Sequence, residues 1–173
     1  MSKVAILLGS DSDLPVMKEV CEVLEQFNIS YEINVLSAHR TPKETSQYVI
    51  DLAKGEVDVI IAGAGGAAHL AGVCAAYFSG PVIGVPIESK SLKGLDSLLS
   101  IVQMPPGVPV ATVGINAAKN AGLLAIKILA RGNKNLGVKL NEYMTQQSKK
   151  VLEKNERLRK IGYKKYLQEM NEK

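Results

Sequence analysis

Only two histidines occur in the chain, and each follows a hydrophobic run at a short polar or glycine-rich break. His39 lies in Ser37-Ala38-His39-Arg40-Thr41-Pro42, directly after Tyr31–Leu36. Imidazole gains and loses a proton near neutral pH, and a guanidinium pairs with anions. Side by side, His39 and Arg40 can move a proton and hold an acidic group. Pro42 stiffens the break that carries them. The bland alternative is a solvated loop arginine beside a structural histidine.

A second break reads Gly9-Ser10-Asp11-Ser12-Asp13. Ser and Asp both cap helices, but one cap needs one such residue and four stand here in a row. Serine hydroxyls and helix-terminal N–H groups suit a phosphate, whereas a carboxylate suits sugar hydroxyls. A phosphorylated ribose fits that set of partners.

The third break, Gly63-Ala64-Gly65-Gly66-Ala67-Ala68-His69, formally fits the dinucleotide pattern G-x-G-x-x-A. Glu88 even follows about 20 residues later. NAD is nevertheless a poor fit, because two earlier breaks are already polar and serine-rich and no separate substrate domain remains. Glycines there also let backbone N–H groups approach a small anion such as a carboxylate. His69 either lines that pocket or caps a helix, and the sequence leaves both open. A hydrolase triad of Ser10 or Ser12 with His39 and Asp13 lacks the G-x-S-x-G elbow. Two histidines without acidic or cysteine partners at ligand spacing make a poor metal set.

These breaks are positioned by alternating elements. Strand-like runs cover Lys3–Leu8, Tyr31–Leu36, Val57–Ala62, Val82–Val85 and Val110–Ile115. Helical spacing marks Leu14–Phe27, Pro42–Lys54, Ala67–Phe78, Leu92–Val102 and Asn116–Arg131, with Thr41 expected to cap the second. Runs such as VDVIIAG show no polar alternation, so both of their faces are buried. The succession predicts a three-layer α/β/α sandwich around a central parallel sheet. In such sheets ligands bind beyond the carboxyl ends of the strands. The three breaks then converge on one edge, joined by Pro86-Ile87-Glu88-Ser89 and Gln103–Gly107.

The 173 residues are expected to form one domain, with a core over 3–131 and a charged helical arm over 132–173. The arm carries Leu140, Tyr143, Met144, Val151, Leu158 and Ile161 on its apolar side, and Gly162 is a natural break or kink. A long helix must bury such a stripe, which favours packing on a neighbouring subunit. The net charge is +4, but much of the basic excess lies in the C-terminal third and is not interleaved with aromatics as a nucleic-acid reader requires. No run approaches the roughly 18 apolar residues of a membrane span. MSKVAILLGS is too brief for a signal-peptide core, and Cys21 and Cys74 form no Cys-x-x-Cys pair. A cytoplasmic protein with free thiols, and no nucleic-acid or membrane partner, is expected.

Four motifs in order, GSDSD, SAHRTP, AGAGGAAHL and DSLLSIVQMPPGVPVATV, resemble the N5-carboxyaminoimidazole ribonucleotide mutases, the class I branch of the aminoimidazole ribonucleotide carboxylase superfamily. The likeness runs from about Lys3 to Arg131. SAHRTP, where the animal-type enzyme has Lys-Gly-Pro after the histidine, points away from the branch that takes free carbon dioxide.

The resemblance implies a flavodoxin-like fold, an octamer, and a reaction without metal, ATP or organic cofactor. In that reaction a carboxylate moves from the exocyclic nitrogen to ring carbon C4 during purine biosynthesis. It implies His39 as general acid and base. It implies Ser10, Ser12, Asp13, Ser37 and Arg40 around the phosphoribosyl group, with phosphate mainly on Ser12, Ser37 and Arg40 and ribose on Asp13. Ala64, Gly65, His69 and Leu70 would shape the pocket for the migrating carboxylate. Ala71 and Val73 depart from the family's usual Pro and Met at the border of that pocket. The competing readings are a carboxylase using free carbon dioxide and a non-catalytic nucleotide- or flavin-binding module.

Overall fold

In a computed structural model, which describes residues 3–171, strands and helices alternate as expected. The strands are β1 (Lys3–Leu8), β2 (Ser30–Val35), β3 (Val57–Gly65), β4 (Val82–Ile87) and β5 (Ala111–Thr112). They pair in parallel in the order β2-β1-β3-β4-β5. The helices are α1 (Leu14–Gln26), α2 (Pro42–Lys54), α3 (Leu70–Tyr77), α4 (Leu95–Val102), α5 (Ala118–Leu129) and α6 (Lys134–Asn171).

Successive strand side chains point to opposite faces, and both faces are covered. Val4, Ile6, Leu8, Val59, Ile61, Ile83 and Val85 pack with α1 and α5, through Met17, Val20, Leu24, Ala121 and Ile126. Ala5, Leu7, Ile60, Ala62 and Val82 pack with α2, α3 and α4, through Val49, Leu70, Cys74 and Ile101. Double-sided burial explains the uninterrupted apolar runs in the sequence. Connections leave β1 and β2 toward opposite faces, so the chain parts beyond the carboxyl ends of β1 and β3. That is the topological switch point at which open α/β sheets bind ligands.

Several boundaries move for local reasons. The first helix is preceded by a 3₁₀ turn, Asp11–Asp13. Gly66 at φ 65° and the bonds Ala68 N to Gly66 O and His69 N to Ala67 O (both 2.9 Å) make a turn, so α3 starts at Leu70 and not at Ala67. Lys93 at φ 49° delays α4 to Leu95. The fifth strand pairs over two residues only, at the sheet edge. Thr41 does not cap α2 with its side chain; its hydroxyl bonds instead to the backbone of Ser37.

The arm begins at Lys134, earlier than the apolar stripe indicated. Leu136 is buried, and Tyr143 meets Phe27 at a ring separation of 5.7 Å. Gly162 (φ 75°, ψ 158°) interrupts the helix, and Arg157 reaches past it to pair with Glu169. Met144, Val151 and Leu158 are exposed. Cys21 and Cys74 are free, and burial pushes the Cys74 thiol up to about 12.

Candidate functional site

Four strand-end loops enclose a cleft of about 440 Å³, within the usual range for small-ligand sites. All ten residues singled out from the sequence line it: Ser10, Ser12, Asp13, Ser37, His39, Arg40, Ala64, Gly65, His69 and Leu70.

The loop after β1 is organised by its own side chains. Ser10 N donates to Asp13 Oδ2 (3.1 Å), and Ser12 N donates to Ser10 Oγ (3.4 Å) and Asp11 Oδ1 (3.0 Å). Ser10 and Asp13 therefore do act as reciprocal caps. Ser12 Oγ also bonds Ser10 Oγ at 3.0 Å, which leaves a compact group of hydroxyls at the start of a helix.

The loop after β2 is tied down onto the first. Ser37 Oγ accepts from Arg40 N (3.2 Å) and Arg40 Nε (3.4 Å), while Arg40 Nη2 donates to Gly9 O (3.0 Å). Those bonds leave guanidinium donors free to meet an anion at the mouth.

The third loop settles the position of His69. As the residue before α3 it makes no side-chain cap. Its Nδ1 lies 2.8 Å from His39 Nε2, with the rings edge to face at 4.9 Å between centroids. At that distance one nitrogen donates and the other accepts, so the two exposed imidazoles form a hydrogen-bonded pair.

The sequence named Ile87-Glu88-Ser89 as a strand-end loop without assigning it a role, and these residues line the cleft. Gln103–Gly107, also expected at this edge, do not line it; Met104 lies against Gly72. That loop precedes its strand, so it runs toward the amino ends. Gly9, Ala38, Gly66 and Ala67 complete the lining and carry no distinctive side-chain signal. Among the described residues, no three His, Cys, Asp or Glu side chains gather as a metal-ligand set.

Burial raises the Asp13 carboxyl above its ordinary value. The Ser10 N–H, the Ser12 hydroxyl and the Arg40 charge pull it back, and Asp11 adds to the rise. The fold thus favours the protonated form. The corresponding stability is complete below the ordinary Asp range and is lost as pH rises through the raised pKa. Asp13→Asn keeps an acceptor for Ser10 and removes the charge. Its stability relative to the native chain is expected to grow as pH increases from about 3 to 7. Urea denaturation across that range checks this, and a flat or shrinking difference contradicts it.

The chain is similar to several known proteins. The family model described as AIR carboxylase matches residues 3–150. A Thermotoga maritima protein named N5-carboxyaminoimidazole ribonucleotide mutase is 56% identical over 96% of this chain and 98% of its own length. A Candida glabrata phosphoribosylaminoimidazole carboxylase is 51% identical over 95% of this chain, but over only 29% of its own length. The crystal structure of Treponema denticola PurE superimposes with a TM-score of 0.83 at 29% identity, covering 91% of this chain and 99% of the other.

Proposed function

The chain belongs to the AIR carboxylase family, and on that premise we propose that its cleft converts N5-carboxyaminoimidazole ribonucleotide to the 4-carboxy isomer in purine biosynthesis. The observation that carries this reading is the His39–His69 contact of 2.8 Å, in the same cleft as Arg40 and the serine-rich loop. In this reading the two imidazoles transfer protons, and Arg40 with the serines binds the phosphate.

The roles follow from that division. Arg40, Ser37 and Ser12 hold the phosphate, and Asp13 with Ser10 orients the ribose. His39, as imidazolium, gives its proton to the carbamate nitrogen. The nitrogen–carbon bond breaks with its electron pair left on nitrogen, and neutral carbon dioxide is set free. Ala64, Gly65, His69 and Leu70 keep it beside the ring, where the effective concentration is high. C4 attacks it, and the proton displaced from C4 returns to His39. Acid and base are one group, and His69 fixes which nitrogen of His39 faces the substrate.

We assign a homo-octamer, supported by the exposed apolar residues Leu95, Leu99 and Val102 on α4 and Met144, Val151 and Leu158 on α6. A cytoplasmic location is supported by two unpaired thiols. It also accords with the finding that, among the described residues, no helix is long and apolar enough to cross a membrane.

The test is incubation with N5-carboxyaminoimidazole ribonucleotide, without ATP or added metal, and detection of the C4-carboxylated isomer. The Candida glabrata likeness favours one second reading, a carboxylase acting on the amino compound and free carbon dioxide. Product formed from aminoimidazole ribonucleotide and bicarbonate, with the N5-carboxy compound ignored, replaces the mutase with that carboxylase.

A further inference from the structure

Behind the glycine loop, Ser97 is fully buried on α4, at the third position of the helix. Its hydroxyl accepts from Gly66 N at 2.8 Å and donates to Ile87 O at 2.7 Å. One oxygen therefore ties the end of β3 to the end of β4. Ser100 adds a longer bond to Gly66 O (3.4 Å), and Asp96 accepts from Ser89 Oγ (2.7 Å). Both walls of the cleft's inner end are thus held from the same helix.

The β3–β4 ladder reaches only to Gly65 and Ile87, so removing the hydroxyl leaves Gly66 N and Ile87 O unpaired and the turn at Gly66 free to move away from the end of β4. Gly66 is the pivot, because its left-handed backbone starts the turn that delivers His69 to His39.

We propose that Ser97 is a positioning residue that keeps the inner end of the cleft closed around the migrating carbon dioxide. This rests on the mutase reading. In the productive path C4 captures the carbon dioxide released when the nitrogen–carbon bond breaks. In the leak path it escapes, and aminoimidazole ribonucleotide, protonated on its nitrogen by His39, is left behind. The balance of atoms is the same until capture, so the wall decides only the partition.

The test uses the full chain and substrate labelled with ¹³C in its carboxylate, in unlabelled bicarbonate. Native protein is expected to retain the label in the product. Ser97→Ala is expected to raise the leaked share and to speed hydrogen exchange at the Gly66 amide, each by about tenfold, the effect of one lost buried hydrogen bond. Ser97→Thr keeps the hydroxyl and should return both values toward native. Ser97→Cys leaves no cavity and supplies only a weak donor and weak acceptor, and it carries the test if the alanine variant does not fold.

A Gly66 amide that exchanges faster while label retention stays native overturns the proposal, as does an unchanged amide. If native protein makes no C4 isomer, the mutase reading fails. The amide measurement then still tests the clamp by itself.

Discussion

His39→Asn is expected to lower kcat by at least about 10²–10⁴-fold, the usual contribution of one positioned acid–base group, and further if both proton steps are lost. The side chain is exposed, so the core beneath it is unaffected and the variant should melt close to the native temperature. Substrate affinity should change little, because phosphate and ribose are held by other side chains, Arg40, Ser37 and Ser12 for the one and Asp13 with Ser10 for the other. Ultraviolet absorbance of the product and a ligand-binding titration separate the two quantities. Activity within a few-fold of native would remove His39 from the chemistry.

The histidine pair sharpens that expectation. Asparagine can still hydrogen-bond His69 through its amide, but it has no nitrogen that gains and loses a proton near neutral pH. A purely geometric role for His39 would therefore survive the substitution in part. A proton-transfer role would not.

Much of this arrangement is legible in the sequence. VDVIIAG and PVIGVP announce strands buried on both faces, and a run of such strands separated by helices has few ways to fold. Once the sheet is parallel, the residues after each strand must gather at one edge. That argument needs only the order of elements, which is why Ser10, Ser37, His39 and Gly65 were found together.

What stayed hidden depends on side-chain direction and on which end of a strand a loop meets. Whether His69 capped α3 or faced the cleft turned on the direction of one ring. Gln103–Gly107 lies away from the cleft because it enters a strand and does not leave one. Ser97 had no signal at all. In LDSLLSIV a buried serine looks like a tolerated small residue, and only the paired contacts to Gly66 and Ile87 give it a task.

The second large effect belongs to Arg40. Arg40→Ala is expected to weaken phosphorylated ligands by about 10- to 150-fold, the loss of one charge-assisted contact, and to leave the unphosphorylated nucleoside nearly unchanged. Calorimetric titration of both ligands makes the comparison. Equal loss for the two would mean that Arg40 serves only as the brace between Gly9 and Ser37. Salt provides an independent check, since the guanidinium is exposed and its attraction for a phosphate is screened. The native protein should lose affinity as ionic strength rises, and the variant should respond less. The substitution reaches Asp13 as well. Arg40 is one of the groups that pull that carboxyl down, so its removal leaves the acid protonated to higher pH. Nucleoside binding by the variant should therefore fall off at a less acidic pH than binding by the native protein. A brace made of bulk alone would leave that profile where it is.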